Sequence, residues 1–329
     1  MSDASRASGG PARPSTRPGL DVVEILGFGR SGSTLLDRLL ADALGVPGFG
    51  ELVAVWRRGL LEDRHCSCGE RFGECPFWRD VVATDPGVIT RRRAAEVVLL
   101  TNRVMQVWSP LRVSSAPARR ALLEAVPASW FEAMGALYRG VAGVAETSTF
   151  VDSSKAPVLG LLLAQVPGIR VRPVPLVRDP RAVAWAWGHP GAPVPLAPAL
   201  PGLSPARAAV VWSLVLHATE VVARVLGDGT DLVRYEDLVA APEATVAQIV
   251  QALALDLPAS TGSSRAAHTM SGNPRLRFVT APPVVREDQR WRQDTSSSTW
   301  AAVTALTLPG VLRHGYPVRP SHPHGSADG

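Results

Sequence analysis

The chain has 329 residues, 46% hydrophobic and 19% charged, which is ample material for one large core and excludes an intrinsically disordered chain. Its formal net charge of +5 suits anionic ligands, but the basic residues are scattered and the longest run is Arg91 to Arg93. With no groove-reading module or aromatic-interleaved basic stripe, nucleic acid is not the expected partner.

Of the 34 basic residues only Lys155 is a lysine, and Gly and Pro number 29 each, a pattern of GC-rich coding rather than of function in itself. Residues 1–18 are rich in Ser, Pro, Gly and Arg without an apolar h-region and are expected to form a disordered tail. Asp21 to Phe28 is a short apolar run closed by glycines, suited to a buried parallel strand, and Ser33 to Leu44 has helical periodicity. From Glu51 to Glu146 the chain reads as mostly helical with a cysteine-bearing loop, which predicts a helical insertion over about 52–146.

Ser148 to Asp152 is a second strand candidate, ahead of Pro157 and the apolar helix Val158 to Val166. Arg170 to Val177 is a third, weakened by Pro173 and Pro175. The Pro-rich stretch Gly188 to Pro205 is expected to be a flexible loop, followed by a helix over Pro205 to Leu226, a strand over Asp231 to Tyr235 and a helix over Pro242 to Leu253. One domain over 19–316 is expected, with 317–329 a disordered tail. Strands separated by helical segments point to the α/β class: a P-loop-type, mainly parallel sheet flanked by helices, with the helical insertion.

No apolar run approaches the ~18 residues of a spanning helix; Val158 to Ala164 and Ala208 to Leu216 read as buried helices. No membrane partner is expected, and the location is expected to be cytoplasmic. Three cysteines, an odd number in a long chain, do not make a disulfide framework.

The strongest chemical signal is Gly27-Phe28-Gly29-Arg30-Ser31-Gly32-Ser33-Thr34, between the first strand and its helix. Backbone N–H groups of such a loop, added to the helix N-terminus, form an anion cradle. The spacing fits the nucleotide P-loop frame through Gly27, Gly32 and Thr34, but Ser33 stands where the P-loop lysine belongs. That lysine serves the β/γ-phosphates, so its replacement argues against ATP or GTP hydrolysis, while Arg30 brings positive charge earlier in the loop.

These residues resemble the sulfotransferases that use 3′-phosphoadenosine 5′-phosphosulfate (PAPS). The resemblance spans most of Val22 to Tyr316 and implies that Arg30, Ser31, Gly32, Ser33 and Thr34 hold the 5′-phosphosulfate. A second element of the family, an apolar strand ending in Arg-Asp-Pro-Arg, matches Pro175-Leu176-Val177-Arg178-Asp179-Pro180-Arg181 and implies Arg178 as the 3′-phosphate ligand. The family usually places a serine eight positions after that arginine, where this chain has Ala186. Ser271-Gly272-Asn273-Pro274-Arg275-Leu276-Arg277 resembles the late nucleotide-contacting loop of bacterial members; Asn273 and Arg275 are its candidate contacts, with Arg275 or Arg277 replacing the missing donor.

In-line sulfuryl transfer needs a base for the acceptor hydroxyl and cations where leaving-group charge develops. Gly48-Phe49-Gly50-Glu51-Leu52 resembles the Gly-Glu of protein-tyrosine and several carbohydrate sulfotransferases, which implies Glu51 as the base; His189 and His268 are the alternatives. By the same resemblance Lys155, in Val151-Asp152-Ser153-Ser154-Lys155, stabilises the leaving group together with Arg30. A sulfuryl group carries less negative charge than a phosphoryl group, so fixed cations and backbone dipoles suffice and no metal is expected to be required.

His65, Cys66, Cys68 and Cys75 contain metal-ligand chemistry, but the spacing matches no common zinc pattern, and reduced cysteines or a redox-sensitive pair in a lid are the expectation. Tyr235-Glu236-Asp237-Leu238 is expected to cap the helix after Pro242, and Trp56, Trp185, Trp187 and Trp212 to pack the core or a lid rather than an acceptor pocket. Arg286 to Arg292 either covers the nucleotide or starts a surface helix. The expected function is transfer of the sulfuryl group from PAPS to a small-molecule or carbohydrate hydroxyl. A P-loop small-molecule kinase without its lysine and a non-catalytic nucleotide-binding protein are the alternatives; acceptor and oligomeric state stay open.

Overall fold

The computed structural model describes residues 19–106, 109–189, 202–255, 268–279, 283 and 285–319, without the side chains of Ser109, Pro274 and Arg275. The expected N-terminal tail, residues 320–329 of the expected C-terminal tail and most of the Pro-rich stretch therefore fall outside the described residues. In chain order the elements are β1 (Leu20–Gly27), α1 (Ser33–Leu44), α2 (Pro76–Thr84), α3 (Arg91–Val104), α4 (Ala116–Glu124), α5 (Ala128–Val144), β2 (Thr149–Lys155), α6 (Pro157–Leu163), β3 (Ile169–Val177) and α7 (Pro180–Gly188). There follow α8 (Pro205–Leu226), β4 (Val233–Arg234), α9 (Tyr235–Ala240), α10 (Pro242–Leu253), α11 (Pro274–Arg277), α12 (Arg290–Asp294) and α13 (Ser297–Arg313).

The four strands form one parallel sheet in the order β2-β1-β3-β4, the α/β class expected. The centre strand β1 is covered on both faces, which is why it reads as an almost unbroken apolar run. Val23 and Ile25 pack with Leu36, Leu40, Val246 and Ile249 of α1 and α10. On the other face Leu20 and Val22 join the core of the helical segment with Trp56, Trp78, Trp130 and Tyr138, and Leu26 meets Val158, Leu161 and Val222 of α6 and α8.

The prolines do not weaken β3. It pairs with β1 from Ile169 to Leu176, and the Pro173 carbonyl points the other way, accepting from the Thr230 N–H at 3.1 Å. A strand residue's N–H and C=O share one side, so Pro173 and Pro175 lack donors only on the side away from β1, where β4 pairs with nothing but Leu176 and Val177. The outer side of β2 is covered by residues 47–50, with Gly48 bridged to Val151.

α8 has the expected bounds but departs from the expectation that no segment is long and apolar enough for a span. Counting apolar residues stops at Leu216, but the helix continues through His217 and Glu220 to Leu226, and its 22 residues are long and apolar enough to cross a membrane by length and composition. Here it is a packing helix: Ala208, Ala209, Trp212, Leu216, Thr219 and Val222 are buried, and α6, α7, α13 and β3 lie against it. The expected strand over Asp231 to Tyr235 shrinks to Val233–Arg234, because Tyr235 opens α9.

Candidate active site

In open parallel sheets, ligands bind outside the carboxyl ends of the strands, and the loop after β1 is shaped there for an anion. Arg30 and Gly32 take left-handed backbone, φ +72° and +91°, and a Cβ at Gly32 would lie 2.3 Å from the Tyr235 ring, so only glycine fits. α1 starts at Ser33 with no side-chain cap on its N-terminus, leaving first-turn N–H groups for a ligand. Arg30 Nε and Nη2 and Ser31 Oγ are buried and have no hydrogen-bond partner. An unsatisfied buried donor costs about 1–3 kcal/mol, so the loop's own chemistry fits a phosphate or sulfate group.

Glu51 and Lys155 are brought together by two local irregularities. Residues 47–50 run beside β2, the Val151 N–H donating to Pro47 O (2.9 Å), the Phe49 N–H to Val151 O (3.0 Å) and the Ser153 N–H to Gly50 O (2.7 Å). Gly50 then turns the chain at φ +64°, passing so near the Ser271 carbonyl that a Cβ would be 2.6 Å from it. Opposite, β2 bulges between the pairs Glu24↔Asp152 and Leu26↔Lys155, and Lys155 adopts φ +67°, a conformation costing a non-glycine residue about 1–3 kcal/mol.

The result is an ion pair from Lys155 Nζ to Glu51 Oε1, while Ser271 Oγ donates to Oε2 at 2.6 Å. Burial pushes the Glu51 carboxyl up, but the charge and hydrogen bond of Lys155, with Ser271 and Arg58, outweigh it and hold the group below the ordinary carboxylate value.

Asp152 anchors both irregularities. Its Oδ1 accepts from the Ser154 N–H (2.8 Å), Ser154 Oγ (2.7 Å) and the Leu52 N–H (3.3 Å), and its Oδ2 accepts from Tyr138 Oη. Burial raises its carboxyl despite the bonds from Tyr138 and Ser154. Glu24 and Asp37 are buried nearby: burial first, then Asp152, raises Glu24 well above its usual range, and burial, opposed by a bond from Ser153, pushes Asp37 up to about 7. Sequence reasoning missed Asp152, Asp37 and Ser271; for Glu24 the one signal was a carboxylate inside the apolar run VVEIL.

The second motif closes on the first. Arg178 Nη1 donates to Arg30 O at 3.1 Å, and its guanidinium lies over the Tyr235 ring at 4.4 Å. Asp179 clamps Arg181 through two bonds of 2.7 and 2.6 Å, and Arg181 is buried against Trp300, so it is structural. The Tyr235–Leu238 turn does not cap the helix after Pro242, which has no side-chain cap. Its Glu236 instead accepts from the Asp179 N–H (2.9 Å) and Tyr316 Oη (3.0 Å), holding the Arg178 loop in place.

The late loop joins both parts: Ser271 bonds Glu51, and the Asn273 N–H donates to Thr34 Oγ1 at 3.1 Å. The Arg275 side chain lies outside the described residues. Arg277 does not replace the missing donor, because its guanidinium is turned to the Met270 and His65 carbonyls at 2.6 and 3.1 Å.

Neither alternative base belongs here. His189 binds the Trp185 carbonyl and stacks on that ring, and His268 stacks on Phe77 with Nδ1 against Cys66 and Cys75. Trp56 is core. Trp187 and Trp212 brace the loops after β1 and β3 by donating to Gly29 O (3.2 Å) and Arg178 O (3.0 Å), and Trp185 lies under Arg290. The Arg286 to Arg292 segment leads into α12, with Arg290 paired to Asp288 and Trp291 buried on Trp300.

No protein-family model matches the chain, and no curated protein is similar to it. Among the solved structures similar to it are two sulfotransferase domains. The sulfotransferase domain from the curacin biosynthetic pathway shares 18% identity over 93% of this chain and 100% of its own, with a TM-score of 0.47. The sulfotransferase domain from the olefin synthase of Synechococcus PCC 7002 shares 17% over 93% of this chain and 98% of its own, with a TM-score of 0.45.

Proposed function

We propose that the chain is a sulfotransferase that transfers the sulfuryl group of PAPS to a hydroxyl of a small-molecule or carbohydrate acceptor. The observation that carries this reading is one continuous arrangement. A carboxylate held by Lys155 and Ser271 is joined through Ser271–Asn273 to a loop whose buried Arg30 and Ser31 donors have no partner. Ser33 in place of the P-loop lysine turns the same frame away from nucleoside triphosphates.

PAPS, when bound, supplies the electrophilic sulfur and a nucleotide phosphate as leaving group. Arg30, Ser31, Gly32, Ser33, Thr34 and the α1 N-terminus would hold the 5′ end, and Arg178, with Asn273 and Arg275, the 3′ end. Glu51 takes the proton of the acceptor hydroxyl. Its low proton affinity keeps it ionised near neutral pH, and it strengthens as a base when Lys155 turns from it towards an anion. Lys155 and Arg30 then stand as fixed cations where leaving-group charge gathers. Cys66, Cys68 and Cys75 form no disulfide, which suits a reducing, cytoplasmic setting.

Thermal stabilisation by 3′-phosphoadenosine 5′-phosphate, against ATP with Mg²⁺, tests the donor; a ligand at ~100 times its Kd adds about 2.7 kcal/mol. The bisphosphate is expected to stabilise the chain and Arg178→Gln to abolish the effect; preference for ATP would overturn the reading. With labelled PAPS and a panel of hydroxyl acceptors, Glu51→Gln is expected to slow transfer by about 10²- to 10⁴-fold, and unchanged turnover would reject Glu51 as the base.

A further inference from the structure

We propose that Cys66, Cys68, Cys75 and His268 are the four ligands of a structural zinc ion that clips the cysteine loop to the segment carrying Ser271. The four ligand atoms all lie within 4.8 Å of one another. Cys68 Sγ is 3.6 Å from Cys75 Sγ, and His268 Nδ1 is 3.3 Å from Cys75 Sγ and 3.5 Å from Cys66 Sγ. Zinc bonds of about 2.3 Å to sulfur and about 2.05 Å to nitrogen give a tetrahedron with edges of about 3.8 Å (S···S) and about 3.6 Å (S···N). These three edges are close to those of a metal tetrahedron, and the other three are no longer than 4.8 Å. A disulfide needs about 2.05 Å between sulfurs and leaves the third cysteine and the imidazole unexplained.

The surroundings are those of a metal knuckle. Cys66, Ser67 and Cys68 lie in a tight turn closed by bonds from the Cys66 N–H to Glu70 O and the Gly69 N–H to Cys66 O, with His65 bridged to Arg71. Cys75 is the N-cap residue of the nine-residue α2, directly ahead of Pro76. Phe77 stacks flat on His268, ring centroids 4.7 Å apart, and fixes the edge that Nδ1 presents. His65, the histidine next to the cysteines in sequence, is not a ligand: its Nδ1 is on Gly69 O at 2.8 Å.

The ion would join two distant parts of the chain. Ser67 and Thr269 already exchange bonds, Ser67 N–H to Thr269 O at 3.0 Å and Thr269 N–H to Ser67 Oγ at 2.9 Å, and Arg277 ties the Met270 and His65 carbonyls together. Three residues beyond His268, Ser271 holds Glu51, so the metal fixes the strand of chain on which that bond depends. Binding takes three thiolates and a neutral imidazole nitrogen, releasing the thiol protons to solvent.

The test is metal analysis of the full chain, expressed with added zinc and purified under reducing conditions without chelator. One zinc per chain is expected, and cobalt in its place should give tetrahedral d–d bands with thiolate-to-cobalt charge transfer. His268→Ala should lose the metal and His65→Ala retain it, and a chelator should lower the Tm in a way that zinc reverses. If His268→Ala does not fold, the cobalt spectrum of the unaltered chain decides alone. Zinc far below one equivalent with no tetrahedral cobalt spectrum, loss of metal in His65→Ala, or a Cys68–Cys75 disulfide in freshly isolated protein would each overturn the proposal.

Discussion

Lys155 carries its charge on a backbone position that strands rarely contain, so its ammonium is placed by the bulge of β2 as much as by its own side chain. An arginine there keeps the charge but replaces a compact ammonium by a planar fork. Lys155→Arg is expected to fold with an unchanged Tm and to slow sulfuryl transfer by about 10²-fold, the scale of a small misplacement at a reacting centre. Lys155→Ala removes the chief cation lowering Glu51, so the acid limb of its residual kcat/KM profile should move to higher pH.

Asp37 makes a separate prediction. Burial lifts its carboxyl from 3.8 to about 7, so the folded chain keeps a proton that the unfolded chain releases. That stabilisation is complete below pH 3.8 and is lost as pH rises through about 7, at most roughly 4 kcal/mol. Denaturant titrations between those limits should show stability falling with pH, and Asp37→Asn should flatten the slope.

Among the elements, the helices were the most legible. Ser33–Leu44, Pro205–Leu226 and Pro242–Leu253 begin and end where the sequence places them, because glycine or proline marks each start. β2 runs three residues past the expected Asp152, since Ser153, Ser154 and Lys155 look like a polar loop and are held as strand by contacts with residues remote in sequence. The same remoteness hid His268, which lies 193 positions from Cys75 and has no local motif.

The short α9 shows how an element can matter through one side chain. Glu236 bridges the Asp179 N–H of the Arg178 loop and Tyr316 beyond α13. Glu236→Ala leaves both donors unpaired and should cost about 1–3 kcal/mol in urea unfolding, with weaker binding of 3′-phosphoadenosine 5′-phosphate as the Arg178 loop loosens. Equal affinity in the variant would show that the loop holds its shape without that bridge.

For the whole molecule, part of the positive charge that opens the sequence is tied up in ion pairs within the fold. Arg172 pairs with Asp21, Arg181 with Asp179 and Arg313 with Glu220, while Arg30 keeps two guanidinium nitrogens unbonded at the strand ends. The sheet has a comparable economy at its margins. One margin is closed by residues 47–50. At the other, β4 pairs only with Leu176 and Val177, and the rest of that side of β3 carries Pro173 and Pro175, with the Thr230 N–H on the Pro173 carbonyl. That stretch of β3 therefore lacks the row of free amide donors that a second chain needs for strand addition. The prolines thus remove amide donors from that side of β3 without disturbing its pairing with β1. Replacing both by valine should leave the β1 pairing intact, yet light scattering on gentle heating should show the variant clumping earlier than the parent chain, through an edge now able to recruit its own copies.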